Sequence, residues 1–154
     1  MKKYLIGNLK KIAVFKLLVF SLFLIASCSE DDPDPVVTVT VNGTVLFDDG
    51  DDFNGDVDGD FTGNGGSATR TFLWQNNLTR ADYNADITAT SEGKFRMLVK
   101  DADGTTVLDK SLNGAVEPDS FSGVTSSGTK GIWSVTITLT TFHGDGSFSL
   151  SEGD

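Results

Sequence analysis

The sequence predicts an all-β domain, an antiparallel β-sandwich of jelly-roll type, and three observations support this. After Cys28, apolar residues recur at every second position, and no run shows the period of an amphipathic helix. Clusters of Gly, Asp and Asn separate the alternating runs, as turns separate strands. About eight short strands are expected between residues 37 and 154, which is typical of one sandwich domain.

The first predicted element is a β-hairpin. Val37, Val39 and Val41 alternate with threonines, and Asn42-Gly43 separates this run from Thr44-Val45-Leu46-Phe47. An Asn-Gly pair between two such runs is a strong hairpin signal, because both residues tolerate the positive φ angles of a type I′ turn. One long strand with a bulge is the alternative.

The later strands are indicated by residues that share one face of an extended chain. These are Arg70, Phe72 and Trp74; Tyr83, Ala85, Ile87 and Ala89; Phe95, Met97 and Val99; and Trp133, Val135, Ile137 and Leu139. A return strand is predicted over 105–112. Turns are predicted at Asp101–Gly104 and at His143–Gly146, and the second leads into a last strand, Ser147–Leu150.

Residues 1–27 have the organisation of a secretory signal peptide. A lysine-rich start is followed by Leu17–Ala26, which is uncharged and mostly apolar. A membrane-spanning helix is the alternative, but such a helix needs about 20 apolar residues, and Lys16 interrupts this run. We therefore expect cleavage before Cys28.

The segment Ile25-Ala26-Ser27-Cys28 closes the apolar run and resembles a bacterial lipobox. The resemblance implies that Cys28 becomes the first residue of the mature chain and is acylated. Several acyl chains hold a protein on a membrane far more firmly than one chain does. Cys28 is the one cysteine of the sequence, so no disulfide can form within the chain.

The residues that follow the cysteine resemble the export signal of Bacteroidota-type surface lipoproteins. They are Ser29, Glu30, Asp31 and Asp32. The resemblance implies a lipid-anchored outer-membrane protein that is exposed at the cell surface. A solvated tether on the periplasmic face of the membrane is the alternative.

The mature chain divides into a tether and a single domain. Residues 28–36 contain Pro33 and Pro35 and are expected to be extended, and residues 37–154 form the β-sandwich. Removal of the five signal-peptide lysines leaves seven basic residues against 22 acidic ones, a net charge of −15. Such a charge repels nucleic acid and anionic lipid headgroups, and it attracts cations.

The C-terminal half resembles the bacterial pre-peptidase C-terminal domain and related jelly-roll modules. The resemblance covers residues 70–151 and rests on the matching positions Gly131, Trp133, Gly144, Gly146, Phe148 and Leu150. It implies an accessory or binding module. The chain departs from the pattern in two ways, because it contains no peptidase for the module to serve and because it carries an acidic segment ahead of the matched region.

The sequence does not predict an enzyme. His143 is the one imidazole, and it falls in a predicted turn. A Gly-x-Ser-x-Gly elbow is absent from the sequence, acylation consumes Cys28, and "GNGGS" (63–67) lacks the lysine and the helix of a phosphate-binding loop. Aspartate pairs are frequent enough to leave a glycosidase open, but no pair is singled out.

Two aromatic residues are candidates for a ligand platform. Trp74 and Tyr83 flank the predicted loop 75–82, where exposed rings would stack on sugars. However, Trp74 has the parity of Phe72, and Tyr83 has that of Ile87, which favours a position in the core.

Two classes of function remain open. One is a non-catalytic surface module that binds a glycan or a protein, and the other is a structural component of the cell envelope without a small ligand. They differ in whether a concave or aromatic surface is exposed. Burial of Trp74, Tyr83 and Trp133 together would favour the structural role.

The acidic segment Asp48–Asp60 carries seven carboxylates in thirteen residues. Calcium takes six to eight oxygen ligands, often from Asp and Asn at alternate positions. Such positions are held by Asp52, Asn54, Asp56, Asp58 and Asp60. If Asn54, Asp56 and Asp58 took positions 1, 3 and 5 of an EF-hand loop, Gly65 would take position 12, where glutamate is required. A calcium loop of another kind is therefore predicted at the edge of the sandwich. A solvated acidic loop is the alternative.

Overall fold

The structure, a computed structural model, describes residues 33–89 and 91–153. The predicted signal peptide, the acylated Cys28 and the export signal at 29–32 lie outside these residues. Within them, no helix is long and apolar enough to cross a bilayer. From Asp34 onward the chain forms one compact unit.

This unit is built from β-strands, which confirms the all-β fold class. The strands are β1 (Val37–Val41), β2 (Thr44–Val45), β3 (Asp52–Phe53), β4 (Val57–Asn76), β5 (Arg80–Ala89), β6 (Lys94–Lys100), β7 (Thr106–Asn113), β8 (Ser120–Val124) and β9 (Gly131–Gly153). All pairings are antiparallel except that of β3 with β4, which is parallel. Two strands are far longer than predicted, with 20 residues in β4 and 23 in β9.

The sheet folds into two layers that share the long strands β4 and β9. The first layer has the order β2-β1-β4-β9-β5-β8 and uses the first half of β4 and the second half of β9. The second layer has the order β3-β4-β9-β6-β7 and uses the other halves of the same two strands. Both strands change layer near Gly66, which pairs with Phe142 between two register shifts.

The predicted turn at His143–Gly146 is wrong, because β9 continues through it. Gly144 is pressed against β5, where a Cβ would collide with the carbonyl oxygen of Thr88. A Cβ on Gly146 would come within 2.5 Å of the carbonyl oxygen of Asp86 and of the Phe61 ring. These glycines therefore permit close strand packing and do not reverse the chain.

The acidic segment is not one loop, and this corrects the second half of the prediction for 48–60. From Val57 the chain is strand β4, in which Val57 and Phe61 are buried and Asp58 and Asp60 are exposed. This part of β4 lies between β1 and β9 and forms hydrogen bonds to both. Ladder bonds on two sides outweigh the low strand propensity of glycine and aspartate.

The hairpin at the start of the domain is confirmed. Thr40 pairs with Val45 and Val41 with Thr44, and the turn residues Asn42 and Gly43 have φ angles of 48° and 78°. Positive φ at both central positions is the type I′ geometry that the Asn-Gly pair favours.

The apolar faces of the two layers meet in one core. Phe61 of the first layer stacks on Phe95 of the second, with ring centroids 4.7 Å apart. Phe72 of the second layer lies 6.2 Å from Phe148 of the first. Each of these four residues is buried. The alternating pattern therefore places every second side chain of a strand against the opposite layer, as in a sandwich.

The turn at Asp101–Gly104 is confirmed and is held by the carboxylate of Asp101. The Oδ1 atom accepts hydrogen bonds from the backbone N–H groups of Asp103 and Thr105, at 3.1 and 2.7 Å. Oδ2 accepts one from the N–H of Thr129, at 2.8 Å. These bonds, chiefly that from Thr129, lower the pKa of Asp101 below its ordinary value because they stabilise the ionised form.

Candidate functional site

A shallow groove lies on the outer face of the first layer. It is about 620 Å³ in volume and is lined by Asn84, Asp86, Ser120, Phe121, Ser122 and Ser147. Strand β5 lies between β9 and β8, and its register with both aligns outward side chains of the three strands in rows that line the groove. Asp86 pairs with Ser147 on one side and with Ser120 on the other. The Ser147 hydroxyl donates a hydrogen bond of 2.5 Å to Asp86 Oδ1.

A smaller cavity opens beside this groove at the end of β5. It is about 250 Å³ in volume and is lined by Ile87, Thr88, Ala89, Asn113, Ala115, Val116, Glu117 and Asp119. The Ile87 N–H donates a hydrogen bond of 2.8 Å to the Asp119 carbonyl oxygen. The cavity follows the groove along β5 and along the segment that leads into β8, but the two share no lining residue, and Asp86 and Ile87 point to opposite faces of the sheet. We call them together the β5–β8 surface.

The β5–β8 surface combines polar groups with an apolar patch. Asn84 presents an amide, the serines present hydroxyls that both donate and accept, and Asp86, Glu117 and Asp119 present carboxylates. Ala115 and Val116 supply the exposed apolar part, whereas Ile87 contributes from the core and Ala89 is half-buried. Sugars offer matching chemistry, since they carry hydroxyls around the rim of a ring with apolar C–H faces.

Carboxylates on the outer face of the first layer are interleaved with hydroxyl side chains. Asp60 has Thr40 and Ser147 as its cross-strand neighbours, as Asp86 has Ser147 and Ser120. Like charges directly opposite each other destabilise a sheet, and this spacing avoids such pairs. The face therefore carries many hydrogen-bond acceptors and avoids the destabilisation that directly opposed carboxylates would cause.

The structure places the predicted aromatic platform in the core. Trp74 and Trp133 are fully buried, in edge-to-face contact with centroids 5.9 Å apart, and Tyr83 is 8% exposed. The Trp74 indole donates a hydrogen bond of 2.7 Å to the Gly55 carbonyl oxygen, which satisfies its one polar atom. The interpretation of Trp74 and Tyr83 as an exposed sugar platform is therefore wrong. Both side chains lie in the core, as their parity with Phe72 and Ile87 favoured.

The residues predicted to hold calcium do not converge in one loop. Asp58 and Asp60 point outward from the first layer, beside Ser149 and Ser147. Asp52 pairs with Leu73 and therefore lies on the outer face of the second layer. Among residues 33–89 and 91–153, no three His, Cys, Asp or Glu side chains are grouped closely enough to hold a metal ion. Calcium binding remains a prediction.

Most of the β5–β8 surface was not predictable from the sequence. The face shared by Tyr83, Ala85 and Ile87 implies that the alternate residues Asn84 and Asp86 point the other way, but no strand was predicted at β8, which supplies Ser120 and Ser122. The alternation of Ser120 and Ser122 around the half-buried Phe121 was the available signal. His143, the one imidazole, is exposed in β9, with its ring against the Gly65 backbone and away from this surface.

Comparison with known proteins gives distant structural likenesses only. No family model matches the chain, and no curated protein matches it. One similar structure is TmCBM61 in complex with β-1,4-galactotriose, with 10% identity and a TM-score of 0.35, covering 64% of this chain and 66% of that one. Another is a CBM4 structure, with 16% identity and a TM-score of 0.32, covering 63% and 80%. The matched region is thus slightly under two thirds of the first structure.

At such identities and TM-scores, neither likeness bears on what this chain binds. The resemblance of residues 70–151 to the pre-peptidase C-terminal domain also remains an interpretation of the sequence, because no family model supports it.

Proposed function

We propose that this protein is a lipid-anchored, surface-exposed module that binds neutral glycans at the β5–β8 surface and does no chemistry on them. The observation that carries this proposal is the polar groove on the outer face of the first layer, lined by an amide, a carboxylate and three hydroxyls around the half-buried Phe121. An oligosaccharide can place hydroxyls against Asn84 and the serines while a ring face covers the accessible part of Phe121. Sites of this kind hold a ligand by a few placed polar groups beside an apolar wall.

The charge of the surface selects among glycans. Asp86 lies in the groove, and Glu117 and Asp119 lie in the cavity, while the mature chain has a net charge of −15. Carboxylates repel sulfated sugars and uronic acids. They accept hydrogen bonds from the hydroxyls of neutral sugars and form ion pairs with the ammonium groups of amino sugars. Neutral and amino-bearing oligosaccharides are therefore the expected ligands.

The anchor in this proposal is the acylated Cys28, with the acidic residues 29–32 directing export to the outer leaflet. Its support is the position of the lipobox-like segment at the end of an apolar run. Mass spectrometry of the native protein tests acylation. Protease treatment of intact cells tests surface exposure, and alanine at Asp31 and Asp32 should reduce that exposure.

A structural role in the cell envelope is the second candidate, and one observation favours it. Trp74, Tyr83 and Trp133 are all buried, so the rings that most often bind sugars are not presented to solvent. Under this alternative the β5–β8 surface packs against other envelope components and has no affinity for free oligosaccharides.

Titration calorimetry and a glycan array separate the two candidates. The probe is the chain without its signal peptide and with Cys28→Ser, and the ligands are neutral, amino-bearing and acidic oligosaccharides. The double variant Asn84→Ala/Ser122→Ala removes two hydrogen-bonding side chains and should weaken binding about tenfold or more. Thr136→Ala/Thr138→Ala, on the outer face of the second layer, is the matched control and should bind normally. Absence of binding across the array would contradict the glycan proposal and leave the structural role.

A further inference from the structure

Exposed apolar side chains are concentrated on the β1–β2 hairpin. Val36 is 59% exposed, Val45 37% and Phe47 77%. Among the described residues, these are three of the six large hydrophobic side chains that are exposed, and Phe47 is the most exposed of them. Single exposed apolar residues are common on protein surfaces, but three on one short hairpin need a reason.

Val36 and Val45 point to the same side, and Phe47 lies two residues beyond Val45. Leu46 is buried, and its N–H donates a hydrogen bond of 2.9 Å to the Val39 carbonyl oxygen. Val45, within β2, points away from the core, and Phe47, beyond the end of β2, is the more exposed of the two. Val36 has the parity of Thr40, the partner of Val45, and therefore shares this outward direction. We call Val36, Val45 and Phe47 the hairpin stripe.

The hairpin stripe begins where the tether joins the domain. The Val36 N–H donates a hydrogen bond of 2.6 Å to Asn64 Oδ1, and the Asn64 N–H donates one of 3.2 Å to the Val36 carbonyl oxygen. The chain is thus fixed to β4 at Val36, eight residues after Cys28. A fully extended chain of this length spans at most about 26–29 Å.

We infer that the hairpin stripe rests on the lipid surface in which the protein is anchored, an inference that depends on the proposed acylation of Cys28. The short tether holds the stripe close to the bilayer, where contact with lipid removes the three apolar side chains from water. Asp34, Asp48 and Asp49 lie within two residues of the stripe in sequence and are exposed. Their charges oppose anionic headgroups, so the lipid surface that fits is a zwitterionic one.

This contact would lie at the opposite edge of the first layer from the proposed binding groove. The order of the first layer puts β2 at one edge and β8 at the other, five strand spacings away. At about 4.8 Å for each spacing, the β8 edge stands about 24 Å from the β2 edge. The cross-strand row from Val45 through Thr40, Asp60 and Ser147 reaches Asp86, so the stripe and the groove share the outer face of this layer and are separated along the sheet.

Spin labelling of the lipidated protein tests this orientation. Because acylation consumes the Cys28 thiol, Phe47→Cys introduces a single free thiol for a nitroxide label. Ile132→Cys is the control, since Ile132 is an exposed apolar residue on the outer face of the second layer. In phosphatidylcholine vesicles, the label at 47 should be relaxed more by oxygen, which concentrates in lipid, and less by a water-soluble nickel complex than the label at 132. Equal accessibility at the two positions would overturn the inference.

Other outcomes are equally decisive. Dipolar broadening between labels at position 47 would show that a second copy covers the stripe, and would overturn the lipid contact. Added anionic lipid should reduce the contrast between the two positions, and an increased contrast would contradict the role given to Asp34, Asp48 and Asp49. Mass spectrometry separates the two proposals, because an acylated Cys28 with equal label accessibility removes the orientation alone, whereas an unmodified Cys28 removes the anchor and the orientation together.

Discussion

Phe61 of β4 and Phe95 of β6 stack face to face across the two layers, with centroids 4.7 Å apart and an interplanar angle of 7°. Both rings also approach Phe148, so the three form the centre of the core. The contact joins strands from opposite layers, which no hydrogen-bond ladder connects at this point. The stability of the sandwich should therefore depend strongly on this pair.

Truncation of either ring should destabilise the domain substantially. Phe95→Ala removes a fully buried ring and should lower the free energy of unfolding by about 3–5 kcal/mol, measured by urea denaturation. The double variant Phe61→Ala/Phe95→Ala should cost less than the sum of the single changes, since the two share one contact. Phe47→Ala, at a largely exposed ring, is the control and should change stability by less than about 0.5 kcal/mol. Additive losses would contradict a coupled pair.

A second prediction concerns Gly59 and Phe148, which pair across β4 and β9. The Phe148 ring covers Gly59, and a Cβ there would collide with it. Alanine usually gains about 0.4–1 kcal/mol over glycine when the backbone accepts it. Here Gly59→Ala should instead lose about 1–3 kcal/mol through overpacking.

The smaller side chain of Phe148→Leu supplies the test of that cause. In a double-mutant cycle, Gly59→Ala should cost less in the Phe148→Leu background than in the native one, because the clash is relieved. Thermal melts of the four proteins measure this. The same loss in both backgrounds would mean that the collision is not the cause.

The relation between glycine and phenylalanine also explains what the sequence could and could not predict. The strands β5 and β6 were found from alternation alone, because their buried positions carry large apolar side chains such as Ile87 and Phe95. The first half of β4 was missed because Gly59 contributes no side chain of its own, and the core is filled there by Phe148 from a strand distant in sequence. Such compensation between strands is not visible in either segment by itself.

The candidate site was hidden for a similar reason. Asp86 and Ser120 share the groove only because β8 pairs with β5, and this register depends on contacts between distant segments. The outward direction of Asp86 was predictable, but its neighbours were not. The hairpin was predictable because the Asn42-Gly43 turn fixes its register locally, although β2 ends at Val45 and the predicted run extended to Phe47.

The third prediction is a pH dependence that arises from Asp101. Its pKa is lowered in the folded protein, first by the hydrogen bond from the Thr129 N–H. A lowered folded-state pKa contributes stability above the unfolded value of about 3.9, and that contribution is lost as the pH falls through the folded value. Asp101→Asn should therefore be less stable than the native protein at neutral pH, with the difference narrowing in acid.

Urea denaturation between about pH 6 and pH 2.5 measures this narrowing. Asp82→Asn, at an exposed aspartate of β5, is the matched control, and its offset from the native protein should change less over the same range. A difference for Asp101→Asn that stays constant down to the lowest pH would contradict the role of the ionised carboxylate. Such a result would leave only the shape of the side chain as the cause.

The last prediction is that calcium stabilises the domain through carboxylates at the start of β4. Asp58 and Asp60 point to one side of the sheet, and Asp56 immediately precedes the strand. Their mutual repulsion is relieved by a bound cation, and a ligand that binds only the folded state raises stability by linkage. At ten times the dissociation constant the gain is about 1.4 kcal/mol.

Melting of the domain in millimolar calcium and in chelator provides the measurement. The midpoint should rise with calcium, and the rise should disappear in Asp56→Asn/Asp58→Asn. Asp82→Asn/Asp145→Asn removes the same charge from the same face of the sheet and should retain the rise. Equal midpoints with and without calcium would rule out binding in this segment. An equal loss of the rise in both double variants would assign the effect to general screening of the acidic face, because screening depends on total charge and not on the position of each carboxylate.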